Sequence, residues 1–305
     1  MLFADAIDEF IQAQSGVVGK ITIDWYRKHL RPLAPLGAET LETVAVSHLR
    51  SVWAGLAGRT MRWENSNRPP KPGGLSPFTL DGYYRAWRTF FNWCVEQEYI
   101  ARSPLKKLKR PRLPAMEPKA ITESDLAKML GAATRKRDYA LLALMVVTGC
   151  RLGGAAGLRM RDVDLQTGRV WVTEKGRGGG KRRAVYVHGE ALEALKDYLR
   201  ERRREADDPV FVSKSGKPLT AVGVSQVIER IARRVGVTGR SNPHSIRHRF
   251  AREMLNNGCD LGALSQLMGH VDPGVTIRFY GRWADNELQE KAQRFAKLPD
   301  RDDDS

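Results

Sequence analysis

The stretch from residue 242 to residue 280 constrains this chain most, because helix starts and stops follow one another there at short intervals. It reads NPHSIRHRFAREMLNNGCDLGALSQLMGHVDPGVTIRFY. Asn242 supplies a capping amide and Pro243 has the backbone angle of a first helical residue, so a helix is expected to begin there. Apolar residues recur at helical spacing up to Gly258, and a second apolar stripe ends at Gly269.

Polar side chains lie at the ends and turns of these predicted helices. His244 and Arg247 are three residues apart in the opening turn, so both are expected to project from one face. His270 follows the glycine that ends the second helix, and the Asp-Pro pair at 272–273 predicts a third short helix ending near Tyr280. Side chains of these types, presented from helix ends, can converge on one anionic group.

Composition indicates a globular chain with a polyanionic partner. Of its 305 residues 42% are hydrophobic, and the formal net charge is +16 with a pI of about 10.0. Such a balance favours DNA or RNA, which release counterions when basic side chains bind the phosphates.

The cysteines and the N-terminus favour a cytoplasmic protein. Cys94, Cys150 and Cys259 are far apart and form neither a disulfide framework nor a zinc-binding spacing. The N-terminus carries acidic residues early and has no long apolar run, so we expect neither a signal peptide nor a membrane span.

The first hundred residues have the periodicity of a helical bundle. The predicted helices cover residues 2–13, 22–30 and 40–56. A further helix is expected to start at Thr79 or Asp81 and to turn its aromatic side chains inward, with Arg85 and Arg88 on its outer face.

A change in composition marks the predicted domain boundary. Residues 103–118, SPLKKLKRPRLPAMEP, are rich in proline and basic residues, which is typical of an extended linker. We therefore expect a helical domain over 1–102, a second domain over 119–298 and an acidic disordered tail over 299–305. A basic linker could also lie across DNA phosphates. The candidate DNA-contacting residues are Arg85, Arg88, Lys106, Lys107, Lys109, Arg110, Arg112 and Lys181.

The second half combines helices with one β-hairpin. The predicted elements are helices over 123–132, 138–147, 191–204 and 222–235 and strands over 169–174 and 182–188. Thr122 is a suitable cap for the first of these helices, and Gly149 is expected to end the second. Arg151 follows immediately, and an arginine beside a buried helix end needs an anionic partner, either a structural carboxylate or a bound anion.

These motifs, in this order, resemble those of the tyrosine recombinase (phage integrase) family. His244 and Arg247 match its His-x-x-Arg motif, Met268-Gly269-His270 matches its Leu-Gly-His motif, and a tyrosine follows at position 280. The sequence TGCRLGGAAGL around Arg151 resembles the first arginine motif of the family. The resemblance implies a mainly α fold with a small β-hairpin (α+β), in which a SAM-like helical core-binding domain precedes the catalytic domain.

The resemblance also implies roles for individual residues. Tyr280 would be the nucleophile, Arg151, Arg247 and His270 would bind the phosphate, and His244 is the candidate base. The general acid would be Lys175 in the hairpin, with Lys181 as its rival.

One position departs from the family pattern. The family usually has an acid three residues after the first arginine, where this chain has Gly154. Asp162 or Asp164 is a candidate substitute.

The implied activity is site-specific DNA recombination through a 3′-phosphotyrosyl intermediate, without a metal, ATP or another cofactor. Double-stranded DNA carrying recombination sites would be the partner, with an accessory or directionality factor possible. An amphipathic C-terminal helix, with apolar residues at 284, 288, 292 and 295, would pass to a neighbour in a homotetramer on two DNA sites. The alternatives are a type IB topoisomerase-like enzyme and a DNA-binding protein with an inactive site.

Overall fold

The protein consists mainly of helices with small antiparallel sheets, as the sequence predicts. The structure is a computed structural model, and it describes residues 1–62, 69–114, 120–174, 180–200, 205–237, 241–269 and 274. The chain divides into two compact units, Met1–Met116 and Glu117–Ser305.

The first unit is a helical bundle with one short β-ribbon. Its elements are α1 (Phe3–Gln14), α2 (Lys20–Leu30), a 3-10 helix (Arg31–Leu36), a 3-10 turn (Leu41–Thr43), α3 (Val46–Ala57), β1 (Met61–Arg62), β2 (Lys71–Pro72), α4 (Pro77–Glu96) and a 3-10 turn (Pro104–Lys107). The helix predicted over 40–56 is therefore split into a 3-10 turn and α3.

Aromatic side chains form the core of this bundle. Phe90 on α4 makes edge contacts at 5.6 Å with Phe3 and with Phe10 on α1. The inward face predicted for α4 is confirmed, whereas the predicted start is wrong. Ser76 is the cap, and its hydroxyl accepts from the backbone N–H of Thr79 at 3.2 Å. A serine followed by proline is the stronger start signal.

The first half of the segment predicted as a linker packs against the first unit. Leu105 and Leu108 are buried in its core, and the Ser103 hydroxyl caps the 3-10 turn Pro104–Lys107 by accepting from the Leu105 backbone N–H at 3.3 Å. Two leucines three residues apart bring an apolar stripe into an otherwise basic segment, which explains the packing.

The second unit contains the remaining helices and one long hairpin. Its described elements are α5 (Glu123–Ala132), α6 (Lys136–Thr148), α7 (Leu152–Ala156), a 3-10 turn (Met160–Asp162), β3 (Arg169–Glu174), β4 (Lys181–Tyr186), α8 (Gly189–Arg200), α9 (Ala221–Arg234), α10 (Pro243–Asn256) and α11 (Leu261–Met268). Helix α6 is buried on nearly all sides, as its continuous apolar sequence predicts.

One face of the hairpin packs on the core of the second unit. Strands β3 and β4 pair antiparallel, from Arg169 opposite Tyr186 to Glu174 opposite Lys181. Val170, Val172 and Val185 are buried, while Trp171 and Tyr186 on the other face are exposed. Side chains alternate between faces along a strand, so the register determines which residues of the hairpin reach the core.

Candidate active site

The start of α10 sets the position of the His-x-x-Arg motif. The Asn242 side-chain oxygen accepts from the Ser245 backbone N–H at 3.0 Å, which confirms the predicted cap. One turn into the helix, Arg247 is turned inward and is only 4% exposed. His244 is exposed, and its ring lies 6.0 Å from that of His248. The two motif residues thus differ in burial, although they share the opening turn.

The Arg247 guanidinium binds the ends of two other helices. Its Nη1 donates to the backbone carbonyl of Gly149 at the end of α6, and its Nη2 donates to that of Met268 at the end of α11. Helix C-termini carry partial negative charge, which favours a cation there. Gly149 precedes Arg151 by two residues and Met268 precedes His270 by two, so one side chain brings together three motifs that are distant in sequence.

Gly149 allows the turn that leads from α6 to Arg151. Its φ of 56° lies in the left-handed region, and a Cβ there would collide with the Phe250 ring. The Cys150 backbone N–H then donates to the Thr148 hydroxyl at 3.3 Å. Arg151 follows as the N-cap residue of α7, and it is partly exposed.

The last turn of α11 has a donor for each of its four final carbonyls. Gly269, at φ 65°, donates its backbone N–H to the carbonyls of Gln266 and Ser265. The Leu267 carbonyl accepts from Arg183 Nη1, and the Met268 carbonyl accepts from Arg247. Four carbonyls at a helix end have no partner within the helix, so two arginines here complete the cap.

Arg183 is a residue of this site that the sequence analysis did not single out. It lies on β4 opposite Val172 and is 8% exposed, on the same face as Val185. The sequence analysis placed position 183 in a predicted strand over 182–188 and gave it no role. Alternation with the buried Val185 and Val187 was the available signal, because it places position 183 on the inner face.

The remaining predicted catalytic residues fall outside the described part of the chain. These are Lys175, His270 and Tyr280. The rival lysine, Lys181, begins β4 opposite Glu174, and its side chain also lies outside.

Asp162 and Asp164 are the candidate substitutes for the acid that the family usually has where this chain has Gly154. Both carboxylates have hydrogen-bond partners near the hairpin. Asp162 accepts from Arg182 at 2.8 Å and from the Arg159 backbone N–H at 3.1 Å. Asp164 accepts from the Thr167 hydroxyl at 2.6 Å and from nearby backbone N–H groups, and these bonds lower its pKa.

Comparison with known proteins identifies the family of this chain. The family model described as "Phage integrase family" matches residues 119–287. The chain belongs to the phage integrase family. Among curated members of this family, tyrosine recombinase XerC of Yersinia pestis is 31% identical over 262 residues, which are 84% of this chain and 82% of that protein.

A second relative and one solved structure extend the comparison. XerC of Xanthomonas campestris pv. campestris (strain B100) is 33% identical over 207 residues, 67% of this chain, and the match spans 63% of its length. The Tn1549 transposon integrase, solved in complex with a circular intermediate DNA, has a TM-score of 0.76 at 20% identity, covering 96% of this chain and 99% of that chain. The integrase-family fold is therefore shared across nearly the whole chain.

In the first unit of this integrase-family chain, a buried carboxylate orients two of the candidate DNA-contacting arginines. Asp81 is 5% exposed and accepts from Arg110 at 2.6 and 3.3 Å, while Arg85 lies 3.2 Å away. The hydrogen bond from Arg110 lowers the pKa of Asp81 despite its burial. The other candidates in this unit, Arg88, Lys106, Lys107, Lys109 and Arg112, are exposed.

A basic cavity of about 800 Å³ lies elsewhere in the first unit. Its cationic lining residues are Lys28, Arg31, Arg59 and Arg62, which the sequence analysis did not single out. His29 forms part of the wall between Trp25 and Tyr83, and burial lowers its pKa. The positive charge of this wall therefore comes from the lysine and arginines. Among the residues that the structure describes, none of the helices has the length and apolar character needed to cross a membrane.

Proposed function

We propose that this protein is a site-specific DNA recombinase that cleaves and rejoins DNA through a 3′-phosphotyrosyl intermediate. The observation that carries the proposal is the tie from Arg247 to the carbonyls of Gly149 and Met268. It draws together the first arginine motif, the His-x-x-Arg helix and the turn before His270. The second unit is thus assigned the chemistry, and the first unit with its linker is assigned the binding of core DNA.

The arginines would stabilise the charge that develops at the scissile phosphate. Attack on phosphorus adds negative charge to the non-bridging oxygens, and guanidiniums donate paired hydrogen bonds to such oxygens. A guanidinium has five N–H donors, so binding two carbonyls and binding phosphate are compatible roles for Arg247. His270 would donate a further hydrogen bond. Donors fixed before the reaction lower the barrier because they need little rearrangement.

The covalent step would exchange one phosphodiester bond for another. The Tyr280 oxygen forms a bond to phosphorus as the bond from phosphorus to the 5′ oxygen breaks. His244 is the proposed acceptor of the tyrosine proton, since the unperturbed phenol pKa is about 10. Lys175 is the proposed donor of a proton to the departing 5′ oxygen. Because the phosphotyrosyl bond is itself an ester, the reverse reaction rejoins DNA without an external energy source.

The alternatives are a topoisomerase-like relaxing enzyme and a DNA-binding protein with an inactive site. The family relatives compared above carry the name tyrosine recombinase, which supports strand exchange. A homotetramer on two paired sites is the proposed working assembly, in the cytoplasm, with or without an accessory factor.

The experiment is capture of the covalent intermediate. The purified protein is incubated with sheared DNA from its own source genome, quenched in SDS, and the protein-linked fragments are sequenced. A few recurrent sites joined through Tyr280 are expected, and Tyr280→Phe should bind DNA without forming adducts. Two copies of the captured site on one plasmid then separate the alternatives: recombination products support the proposal, whereas relaxation alone supports a topoisomerase. A wild-type protein that forms no adduct would overturn the proposal.

A further inference from the structure

We infer that Arg183 is a positioning residue for Arg247, acting through the last turn of α11. Arg183 donates to the Leu267 carbonyl, and Arg247 donates to the carbonyl of the next residue, Met268. The inference rests on the proposed function, in which Arg247 binds the scissile phosphate.

The hairpin fixes the position of the Arg183 backbone. Its backbone lies inside a six-residue antiparallel pairing, opposite the fully buried Val172. The side chain is 8% exposed and lies on the core-facing side of β4. A charged residue is rarely buried without a hydrogen-bonded partner, and the acceptor here is a helix C-terminus, whose partial charge is negative.

The element that Arg183 contacts is short. Helix α11 has eight residues and ends at a left-handed glycine, so its last turn depends on bonds from outside the helix. The Leu267 and Met268 carbonyls belong to adjacent peptide groups of that turn. Removing Arg183 would leave the Leu267 carbonyl to find another donor, and a rotation toward one would also move the Met268 carbonyl and the guanidinium bound to it.

The expected consequence is a defect in neutralising phosphate charge. A displacement of about 1 Å in a catalytic group can slow a reaction on the order of 100-fold. Replacing a charged non-bridging oxygen of the scissile phosphate by a methyl group removes the charge that Arg247 would meet. A variant with a misplaced Arg247 should therefore be slowed in adduct formation much less on this methylphosphonate DNA than on ordinary DNA.

The test compares Arg183→Met and Arg183→Lys with Arg182→Met. The control removes the neighbouring arginine, whose side chain is exposed and binds Asp162 on the other face of the hairpin. Wild type and variants are given the captured site as a synthetic duplex, with either a phosphodiester or a methylphosphonate at the scissile position. Measured quantities are DNA affinity, thermal melting and the single-turnover rate of adduct formation.

Arg183→Met is expected to bind DNA as wild type does and to slow adduct formation on phosphodiester DNA by about 10- to 100-fold. On methylphosphonate DNA the slowing should be less than about 3-fold, as for Arg247→Ala. Arg183→Lys, which keeps the charge, should fall between Arg183→Met and wild type. Should Arg183→Met fail to fold, the ratio of the two substrates measured on Arg183→Lys decides the question.

Equal slowing on both substrates would overturn the inference, because it would indicate general loss of structure or an effect on the leaving group. So would an unchanged rate, or an equal response from Arg182→Met. Failure of the proposed function looks different, because wild type itself would then form no adduct.

Discussion

Arg247 and Gly149 are joined by a hydrogen bond from the guanidinium to the backbone carbonyl, although 98 residues separate them in the sequence. The glycine is needed for its backbone angle and for the space that Phe250 occupies, and the arginine is needed for its charge and reach. The turn that presents Arg151 and the helix that presents Arg247 therefore depend on each other for their positions.

The first prediction is that Gly149→Ala destabilises the second unit. The left-handed angle costs an alanine about 1–2 kcal/mol, and the clash with Phe250 adds about 1–3 kcal/mol of overpacking. Urea unfolding followed by circular dichroism measures the loss. Gly131→Ala is the matched control, since it lies in α5 with open space at its Cβ and is expected to be neutral or slightly stabilising. Equal stability of the two variants would contradict the prediction.

The second prediction is that replacing Arg247 lowers the stability of the protein more than replacing Arg151 does. Both Arg151→Ala and Arg247→Ala are expected to lose adduct formation by about 100-fold or more. Arg247→Ala should in addition lower the free energy of unfolding by about 2–4 kcal/mol, because two carbonyls lose a buried donor. Arg151 is partly exposed, so Arg151→Ala should lower the free energy of unfolding by less than Arg247→Ala does. A melting temperature for Arg247→Ala equal to that of Arg151→Ala would show that the carbonyl bonds contribute little.

Local signals predicted much of the fold and the position of the site. The caps at Asn242 and Thr122 and the glycine stop at 149 follow from backbone chemistry that neighbouring residues determine, and the structure confirms all three. The inward aromatic face of α4 is equally local, since it needs only helical spacing.

Features that depend on distant partners were not predictable in this way. Asp81 was interpreted as a possible helix start, whereas its carboxylate binds Arg110, 29 residues later. Alternation with Val185 places Arg183 on the inner face of the hairpin, but only the fold shows that its acceptor is the Leu267 carbonyl on α11. Identifying such pairs requires the fold, because nothing in the neighbouring residues indicates them.

The third prediction concerns pH and the Asp81 cluster. The folded pKa of Asp81 is lowered from 3.8, so the cluster stabilises the first unit fully above that value and loses this contribution as pH falls through the folded pKa. Asp81→Asn should lower the free energy of unfolding by about 1–3 kcal/mol at neutral pH, and the difference from wild type should shrink as the pH falls below 3.8.

The measurement is urea unfolding followed by tryptophan fluorescence, since Trp25, Trp87 and Trp93 lie in this unit. Asp24→Asn is the control, because Asp24 forms an exposed pair with Arg27 at 3.6 Å, and such pairs contribute little. A difference between wild type and Asp81→Asn that stays constant down to the acid end of the range would rule out the carboxylate as its source.

The fourth prediction distinguishes the two candidate general acids. Lys175→Ala is expected to slow cleavage of ordinary DNA far more than Lys181→Ala. A 5′-bridging phosphorothiolate has a leaving group that needs no proton, so it should restore the rate of the Lys175 variant. Restoration of the Lys181 variant instead would assign the proton donor to Lys181.

The last prediction concerns assembly. Residues 284, 288, 292 and 295 predict an apolar stripe on a helix of about four turns, in a part of the chain outside the described residues. Such a stripe has to be buried, either on its own catalytic unit or on a neighbour, and head-to-tail contacts between protomers close into a ring when the rotation allows. We expect a protein that is largely monomeric alone and tetrameric on paired sites.

Truncation after Arg282 should preserve single-site binding and abolish synapsis and recombination. Sedimentation with and without paired sites measures assembly, and a recombination assay measures activity. If the truncated protein still forms tetramers and recombines at the wild-type rate, the stripe packs within its own chain.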